Sequence, residues 1–213
     1  MARTPKGWRL TIGSAADPQQ LTADAVVLAV PAAPAGRLLT GLAPALELDY
    51  ASVAIVTLVL AGPTPGRGSG YLVPAVEGRT TKAVTFSSRK WAHLAGEQSV
   101  IRASVGRFGE TADLQREDAD LVGAVTAELG EAVGELPRVA ASRVTRWGGG
   151  LPQYAVGHLD RVRVHRDAVA RHPGLAVAGA AYDGVGVPAC ARSGREAAQS
   201  LLGDTGAYDR RPA

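Results

Sequence analysis

The residues best suited to chemistry form a glycine-rich turn between a predicted strand and a predicted helix near the end of the sequence. Residues 175–178 are a short apolar run after the turn signal His172-Pro173-Gly174, and they predict a buried strand. Pro188 suits the first turn of a following helix, because its missing N–H would have had no intrahelical partner. The turn between them, which contains Gly184, Val185, Gly186 and Val187, leaves backbone N–H groups free beside the positive end of the helix dipole. We therefore expect a cofactor to bind there through an anionic group or an electron-rich ring oxygen.

The same turn also fits a dinucleotide-binding fingerprint. Residues 184–189 match the G-x-G-x-x-A form of that motif. The fingerprint belongs to the first βα turn of a βαβ unit and needs a further strand, ending in an acidic residue, about 20 residues later. Here the sequence ends at Ala213 in polar residues, with no strand left to pair. We exclude an NAD site on this ground.

Three segments together resemble one family of flavoproteins. Residues 178–198 read AGAAYDGVGVPACARSGREAA, residues 146–158 read RWGGGLPQYAVGH, and residues 23–31 read ADAVVLAVP. In order and spacing they are similar to the C-terminal FAD motif, the W-x-x-x-x-P-Q-Y-x-x-G-H segment and the A-x-P strand end of the protoporphyrinogen and coproporphyrinogen III oxidases. That family lies within the amine-oxidase-like flavoproteins. The resemblance covers nearly the whole chain.

The resemblance implies FAD as cofactor and suggests which residues hold it. Gly184, Val185, Gly186 and Val187 are expected at the flavin, because small residues let the backbone approach and the helix N-terminus stabilises the negative charge of a reduced ring. Trp147, followed by three glycines, offers a flat ring beside flexible backbone for a flavin edge, although a core tryptophan is the alternative. The sequence assigns no catalytic residue.

The implied function is the oxidation of coproporphyrinogen III, or of protoporphyrinogen IX, to the porphyrin in haem biosynthesis. Dioxygen would be the acceptor and the substrate a tetrapyrrole. Two alternatives remain: a non-catalytic remnant or partner subunit of such an enzyme, and another amine-oxidase-like flavoprotein. Tyr182 only partly matches the aromatic cage residue that the amine oxidases carry near this turn.

The implied fold is α/β (α+β), with a partial FAD-binding α/β domain and an antiparallel-sheet substrate domain with a covering helix. Residues 1–48 and 147–213 are expected in the FAD-binding part, and residues 49–146 in the substrate-binding part. The family's G-x-G-x-x-G element does not occur in residues 1–40. We therefore expect a C-terminal fragment that needs a complementary N-terminal half or self-association, since strands lacking neighbours expose apolar edges.

Hydrophobic periodicity predicts the elements around the turn. A strand is predicted at 8–12, a polar turn at 13–20, a buried strand at 25–30 and a short helix from Pro31 towards Leu42. Strands at 53–60, 71–73, 83–86, 100–105 and 139–147 suggest an antiparallel meander, with the glycine-rich residues 66–70 as a hairpin loop and 89–91 as a solvated turn. Helices are predicted at 113–136, packed on the meander, and at 157–170, with Arg161, Arg163 and Arg166 outward.

Other reactive side chains lack partners at useful spacing. The four histidines have no metal-binding spacing, so no metal is expected. His158 is interpreted as a structural, hydrogen-bonded histidine, and Cys190 as a small packed residue. Tyr154 could face a ligand or anchor its loop, and the sequence leaves both open.

Composition narrows the class of protein. The formal net charge is +3, and basic and acidic residues are interspersed along the sequence. The sequence therefore has no cluster of basic residues of the kind that binds nucleic acid. No apolar run reaches the roughly 18 residues of a membrane span, and no apolar signal region follows the N-terminus. The single cysteine excludes an internal disulfide. We expect a cytoplasmic protein.

Overall fold

The structure, a computed structural model, describes residues 1–204 and divides into two compact units. A discontinuous unit consists of Met1–Asp49 and Pro152–Ala213, and a central unit consists of Tyr50–Leu151. Residues 205–213, which the predicted FAD-binding part includes, lie outside the described residues. The assignment of the two units to a flavin domain and a substrate domain stays a prediction.

The discontinuous unit contains two small sheets and four helices among its described residues. Its elements are β1 (Ala2–Thr4), β2 (Gly7–Ser14), β3 (Asp17–Ala23), β4 (Val26–Leu28), α1 (Ala32–Leu38), α4 (His158–Ala170), β10 (Leu175–Val177), α5 (Ala180–Asp183) and α6 (Val187–Asp204). Strands β1, β2 and β3 form an antiparallel sheet in that order.

The polar turn predicted at 13–20 is wrong, because most of it belongs to a hairpin. Ser14 of β2 pairs with Asp17 of β3, which leaves only residues 15 and 16 as the turn. The side chains from Asp17 to Thr22 are exposed. Since this strand buries almost nothing, its sequence carries no apolar alternation that would have revealed it.

Strands β4 and β10 lie side by side in parallel. Val26 pairs with Leu175 and Leu28 with Val177, and the pairing continues where the Ala178 N–H donates to the Leu28 carbonyl oxygen at 3.0 Å. Helices α4 and α6 both pack on β10. The two apolar runs were expected in one sheet of an α/β domain, and this expectation is confirmed.

The central unit is built on a five-stranded sheet. Its strands are β5 (Asp49–Leu60), β6 (Gly70–Leu72), β7 (Thr81–Phe86), β8 (Ser99–Val105) and β9 (Val139–Gln153), and its α-helices are α2 (Ser87–Lys90) and α3 (Asp118–Val133). The order is β6-β7-β8-β5-β9, with antiparallel pairing from β6 through β8 to β5. The predicted meander holds for β6 to β8, whereas β5 lies between β8 and β9.

The covering helix is present but shorter than the predicted 113–136. Leu121, Val125 and Leu129 of α3 are fully buried and share one core with the sheet residues Leu58 and Ile101. A short 3₁₀ turn at Ala112–Gln115 replaces the expected first turn, and Arg116 is extended. The guanidinium of Arg146 donates to carbonyl oxygens of Leu114 and Arg116 and binds the Asp118 carboxylate, which fixes this break ahead of the helix.

Two predictions about the loops of the central unit are wrong. Residues 66–70 do not form a hairpin loop, because the strands they connect, β5 and β6, are not neighbours in the sheet. Arg89 is not merely part of a solvated turn, since its guanidinium donates to the carbonyl oxygens of Thr64 and Gly66 at 2.8 and 2.6 Å. The arginine thus holds the long β5–β6 connection.

Within residues 1–204, none of the helices combines the length and the apolar character that crossing a membrane requires.

Candidate cofactor site

The candidate site is the turn between β10 and α6, residues 179–187, which we call the 179–187 turn. The chain leaves β10 at Val177, makes the single helical turn α5 at Ala180–Asp183, and enters α6 at Val187. The predicted succession of strand, glycine-rich turn and helix is therefore present. The sequence analysis missed only α5.

Among residues 1–204, the first turn of α6 offers backbone donors without an acceptor. The first hydrogen bond at this end runs from the Cys190 N–H to the Gly186 carbonyl oxygen at 3.0 Å. The N–H groups of Val187 and Ala189 precede it and have no acceptor within the helix, and Pro188 has no N–H at all. The side chains of Val185 and Val187 are 49% and 82% exposed. This helix end therefore presents donors and partial positive charge in an open position.

The glycines keep the backbone of the turn accessible. Gly184 has a φ of +112°, which side-chain-bearing residues rarely adopt. At Gly186, the one described atom that an added Cβ would meet within 4 Å is the Cδ of Pro188, at 3.9 Å, so the described residues leave the space beside Gly186 open. A flat, electron-rich ring edge can approach the backbone here. Gly184, Val185, Gly186 and Val187 thus lie together in an arrangement that fits a flavin.

Asp183 connects the turn to the two helices that flank it. Its carboxylate accepts hydrogen bonds from both terminal nitrogens of Arg166 on α4, at 3.0 and 2.6 Å, and from the hydroxyl of Ser193 on α6. The Ser193 oxygen in turn accepts the Gly179 N–H at 2.8 Å. Burial raises the pKa of the Asp183 carboxyl, but the hydrogen bonds from Arg166 and Ser193 lower it more, so the net shift is downward. The prediction that Arg166 points outward is wrong.

Tyr182 lies beneath the turn rather than on its surface. It is buried, its ring stacks on His165 at a centroid distance of 5.8 Å, and the Arg166 guanidinium lies 5.6 Å from the ring centre. His165 is itself fixed, because its Nδ1 hydrogen-bonds to the Pro44 carbonyl oxygen at 2.8 Å. Tyr182 is therefore part of the support of the turn.

Tyr154 anchors the turn from the side. Its hydroxyl donates to the carbonyl oxygen of Ala180, and its ring stacks on His158 at 4.5 Å. Of the two roles that the sequence left open for Tyr154, the structure shows the anchoring one. His158 is buried at the first residue of α4, and burial together with the nearby Arg161 charge lowers its pKa. Its structural role is to support the Tyr154 ring, and within residues 1–204 its Nδ1 makes no hydrogen bond.

Cys190 packs against its own loop. It is half-buried, and its Sγ donates to the Gly184 carbonyl oxygen at 3.4 Å. This placement agrees with the packing role predicted for it.

Trp147 lies in the central unit, on β9. Its ring is 57% exposed, so the alternative of a core tryptophan does not hold. The glycines after it continue the strand, and the Gly149 N–H donates to the Ser52 hydroxyl at 2.9 Å. An exposed aromatic face next to this strand remains available to a ligand.

The residues that support the turn were missed by sequence reasoning. Asp183 is the one acidic residue between positions 175 and 195, and this feature of the sequence could have indicated that Asp183 has a specific role in the turn. Arg166 and Ser193 gave none, because their distance from Asp183 along the chain follows no local pattern. Within the described part of the chain no group of histidine, cysteine and acidic side chains could hold a metal ion.

Comparison with known proteins shows which sequences this chain resembles. The profile of the family described as flavin containing amine oxidoreductase matches residues 4–202. A coproporphyrinogen III oxidase of Mycobacterium tuberculosis is 40% identical over 186 residues, which cover 84% of this chain and 40% of the relative. A coproporphyrinogen III oxidase of Bacillus subtilis is 30% identical over 190 residues, covering 85% of this chain and 40% of the relative.

A solved structure shares the fold. The crystal structure of a proposed protoporphyrinogen oxidase from Exiguobacterium sp. 255-15 superposes with a TM-score of 0.81 at 32% identity, covering 94% of this chain and 45% of that chain. The chain thus spans less than half the length of the proteins it matches. The mixed α/β architecture, with its antiparallel sheet and covering helix, is that of the FAD-dependent amine-oxidase-like fold. On the extent of the profile match, this chain belongs to the flavin-containing amine oxidoreductase family.

Proposed function

We propose that this chain forms the flavin-binding turn of an FAD-dependent porphyrinogen oxidase that acts in haem biosynthesis. One observation carries the proposal: among the described residues, the N-terminus of α6 presents N–H groups without an acceptor beside the open backbone of Gly186. Coproporphyrinogen III is the proposed substrate, because the relatives at 40% and 30% identity are named for its oxidation. Protoporphyrinogen IX is the alternative, after the name of the structural neighbour.

In the proposed mechanism, FAD supplies the hydride acceptor when bound, and dioxygen is the final electron acceptor. The N–H groups of Val187 and Ala189, with the dipole of α6, stabilise negative charge at the edge of the bound ring. Gly184 and Gly186 let the backbone approach it. Trp147, an exposed residue of the central unit, is proposed as a cofactor-binding residue on the family resemblance alone. The chain's own residues bind and orient, and no proton transfer is assigned to any of them.

The activity is proposed for a complete porphyrinogen oxidase, of which this chain matches one part. The matched segment makes up 40% of the length of the M. tuberculosis relative. A non-catalytic remnant or partner subunit that retains the fold is the second candidate. A complementary polypeptide, or self-association, is the proposed completion of the site. We place the protein in the cytoplasm, where a chain with one cysteine needs no disulfide.

A chimaera tests the proposal. In the M. tuberculosis relative, the matched segment is replaced by this chain, and both FAD content and the fluorescence of newly formed porphyrin are measured. The expected result is bound FAD and oxidation of coproporphyrinogen III. Bound FAD without oxidation would favour the non-catalytic candidate, and absence of FAD from a folded chimaera would contradict the proposal.

A matched pair of variants locates the site. Gly186→Asp adds a carboxylate where an already negative reduced ring is expected, so FAD content should be lost. Gly123→Asp adds the same group at an exposed position of α3, where no described atom lies within 4 Å of the new Cβ, and FAD should be retained. Full FAD content in the Gly186→Asp chimaera would remove the cofactor assignment.

A further inference from the structure

Residues 184–186 of the 179–187 turn make few hydrogen bonds of their own. Among residues 1–204, the hydrogen bonds made by residues 184–186 are those of Cys190, whose Sγ donates to the Gly184 carbonyl oxygen and whose N–H donates to that of Gly186. Two of the three residues are glycines. Because residues 184–186 have so few restraints of their own, their conformation depends on the contacts that hold the residues before and after them.

One of these ends is held by a carboxylate that joins three elements. Asp183 is the last residue of α5, Arg166 lies on α4, and Ser193 lies on α6. Through Ser193 the same network also reaches the Gly179 N–H, where the chain leaves β10. Both ends of α5 and the body of α6 are therefore tied to a single side chain.

The geometry of this network is more exacting than that of a surface ion pair. The Asp183 side chain is only 17% exposed, and Arg166 binds it with two nitrogens. A planar guanidinium that holds a carboxylate through two bonds fixes orientation as well as distance. By contrast, the Arg163–Asp160 pair on α4 makes one contact of 3.3 Å, with side chains 71% and 79% exposed.

We propose that Asp183 is a positioning residue of the flavin site, which acts with Arg166 and Ser193 to hold Gly184, Val185 and Gly186 in the conformation that exposes the N-terminus of α6. This inference rests on the proposed function for the identity of the ligand. Asp183 acts through the backbone that it holds. No contact between its side chain and the cofactor is required.

The first test uses the chain as it is. Amide hydrogen exchange is measured for Gly179, Tyr182 and Cys190, whose N–H groups close the two ends of the turn. In Asp183→Asn these amides should exchange at least tenfold faster, while those of the β4–β10 pair are unchanged. Asp160→Asn, the same substitution in the exposed pair on α4, should change none of them.

Two results of this test would overturn the inference. One is unchanged exchange at the turn in Asp183→Asn. The other is an equal acceleration at the turn and in β4 and β10, which would show that Asp183 serves the stability of the whole unit. If Asp183→Asn does not fold, Ser193→Ala replaces it and the exchange of the Tyr182 and Cys190 amides is compared. This change removes both hydrogen bonds of the Ser193 hydroxyl, to the Asp183 carboxylate and from the Gly179 N–H, and leaves the Arg166–Asp183 pair in place.

The second test addresses the ligand in the chimaera. Asp183→Asn should weaken FAD binding at least tenfold and make the reduction potential of the remaining bound flavin more negative, because a displaced helix N-terminus stabilises the reduced ring less. Unchanged affinity and potential would overturn the inference. A wild-type chimaera that binds no FAD would contradict the proposed function instead, and the exchange result on the chain would still decide whether Asp183 positions the turn.

Discussion

The hydroxyl of Tyr154 donates a hydrogen bond to the backbone carbonyl oxygen of Ala180, in the first turn of α5. This bond joins two of the segments in which the family resemblance was found, residues 146–158 and 178–198. His158, in the same segment as Tyr154, supports the tyrosine ring from behind by stacking. The 179–187 turn is thus held by a hydrogen bond from Tyr154 at Ala180 and by the contacts of Asp183 with Arg166 and Ser193. The segment that contains Pro152, Gln153 and Tyr154 thus supports the 179–187 turn through Tyr154.

Removing the Tyr154 hydroxyl tests this support. Tyr154→Phe keeps the ring on His158 but loses the bond to Ala180, so the free energy of unfolding should fall by about 1 kcal/mol or less. FAD should dissociate faster from the chimaera, because the turn loses one restraint. Urea denaturation and flavin release are the measurements. Tyr71→Phe in the central unit is the control, and an equal effect of both substitutions on flavin release would contradict the role of Tyr154.

His158 should make the stability of the chain depend on pH. Its pKa is lowered in the fold by burial and by Arg161, so the unfolded chain binds the proton more readily than the folded chain. Stability should therefore be complete above about pH 6.5, the ordinary histidine pKa, and should decline as the pH falls below that value.

His158→Phe preserves stacking on Tyr154 and removes the titrating group. The difference in urea midpoint between wild type and variant, measured from pH 7.5 to pH 5, should therefore change in favour of the variant as the pH falls. A difference that stays constant over this range would show that His158 titrates equally in the folded and unfolded chains.

Asp183 has the opposite pH dependence. Because its pKa is lowered in the fold, its contribution to stability is present above the ordinary aspartate pKa of about 4 and is lost as the pH falls through the folded value. The difference in thermal midpoint between wild type and Asp183→Asn should be constant from pH 5 to pH 7 and should shrink below about pH 4. A difference that persists undiminished at the lowest pH at which both proteins fold would contradict this assignment.

The core of the central unit should depend on the helix that covers its sheet. Leu129 of α3 is almost fully buried against the strands. Leu129→Ala should lower the free energy of unfolding by about 2–5 kcal/mol, because transfer and cavity effects add. Val76→Ala, at a side chain that is almost fully exposed, should cost nothing measurable in the same denaturation experiment. A small effect of Leu129→Ala would mean that α3 is not required for the sheet.

The sequence predicted those parts of the fold whose pattern is local. The continuous apolar runs at 25–30 and 175–178 predicted β4 and β10, and the spacing of Leu121, Val125 and Leu129 predicted α3. Strand β3 was missed because an exposed strand needs no apolar pattern. The glycine-rich turn was recognisable because glycine permits backbone conformations that other residues rarely adopt, whereas proline fixes φ and suits the first turn of a helix.

What supports the turn could not be predicted, because it depends on tertiary contacts. Arg166 and Asp183 are separated by 17 positions, and only the packing of α4 and α6 on β10 brings them together. The same holds for Tyr154 and Ala180, 26 positions apart. No periodicity connects such pairs, so a charged residue on a helix was taken for an outward one.

Gly186→Ala should change the stability of the chain and its FAD affinity in opposite directions. Gly186→Ala adds a Cβ that would meet only the Cδ of Pro188 at 3.9 Å, and Gly186 is not among the glycines with positive φ. The chain should therefore unfold no more easily, and a gain of about 0.4–1 kcal/mol is expected from the restricted unfolded state. FAD affinity in the chimaera should nevertheless fall, because the methyl group occupies the space through which the ring approaches the backbone. Gly123→Ala, at an exposed position of α3, should also stabilise the chain, by about 1 kcal/mol, without affecting FAD binding. Urea denaturation and FAD titration of both variants measure the two effects, and a Gly186→Ala protein that binds FAD as tightly as wild type would place the flavin elsewhere.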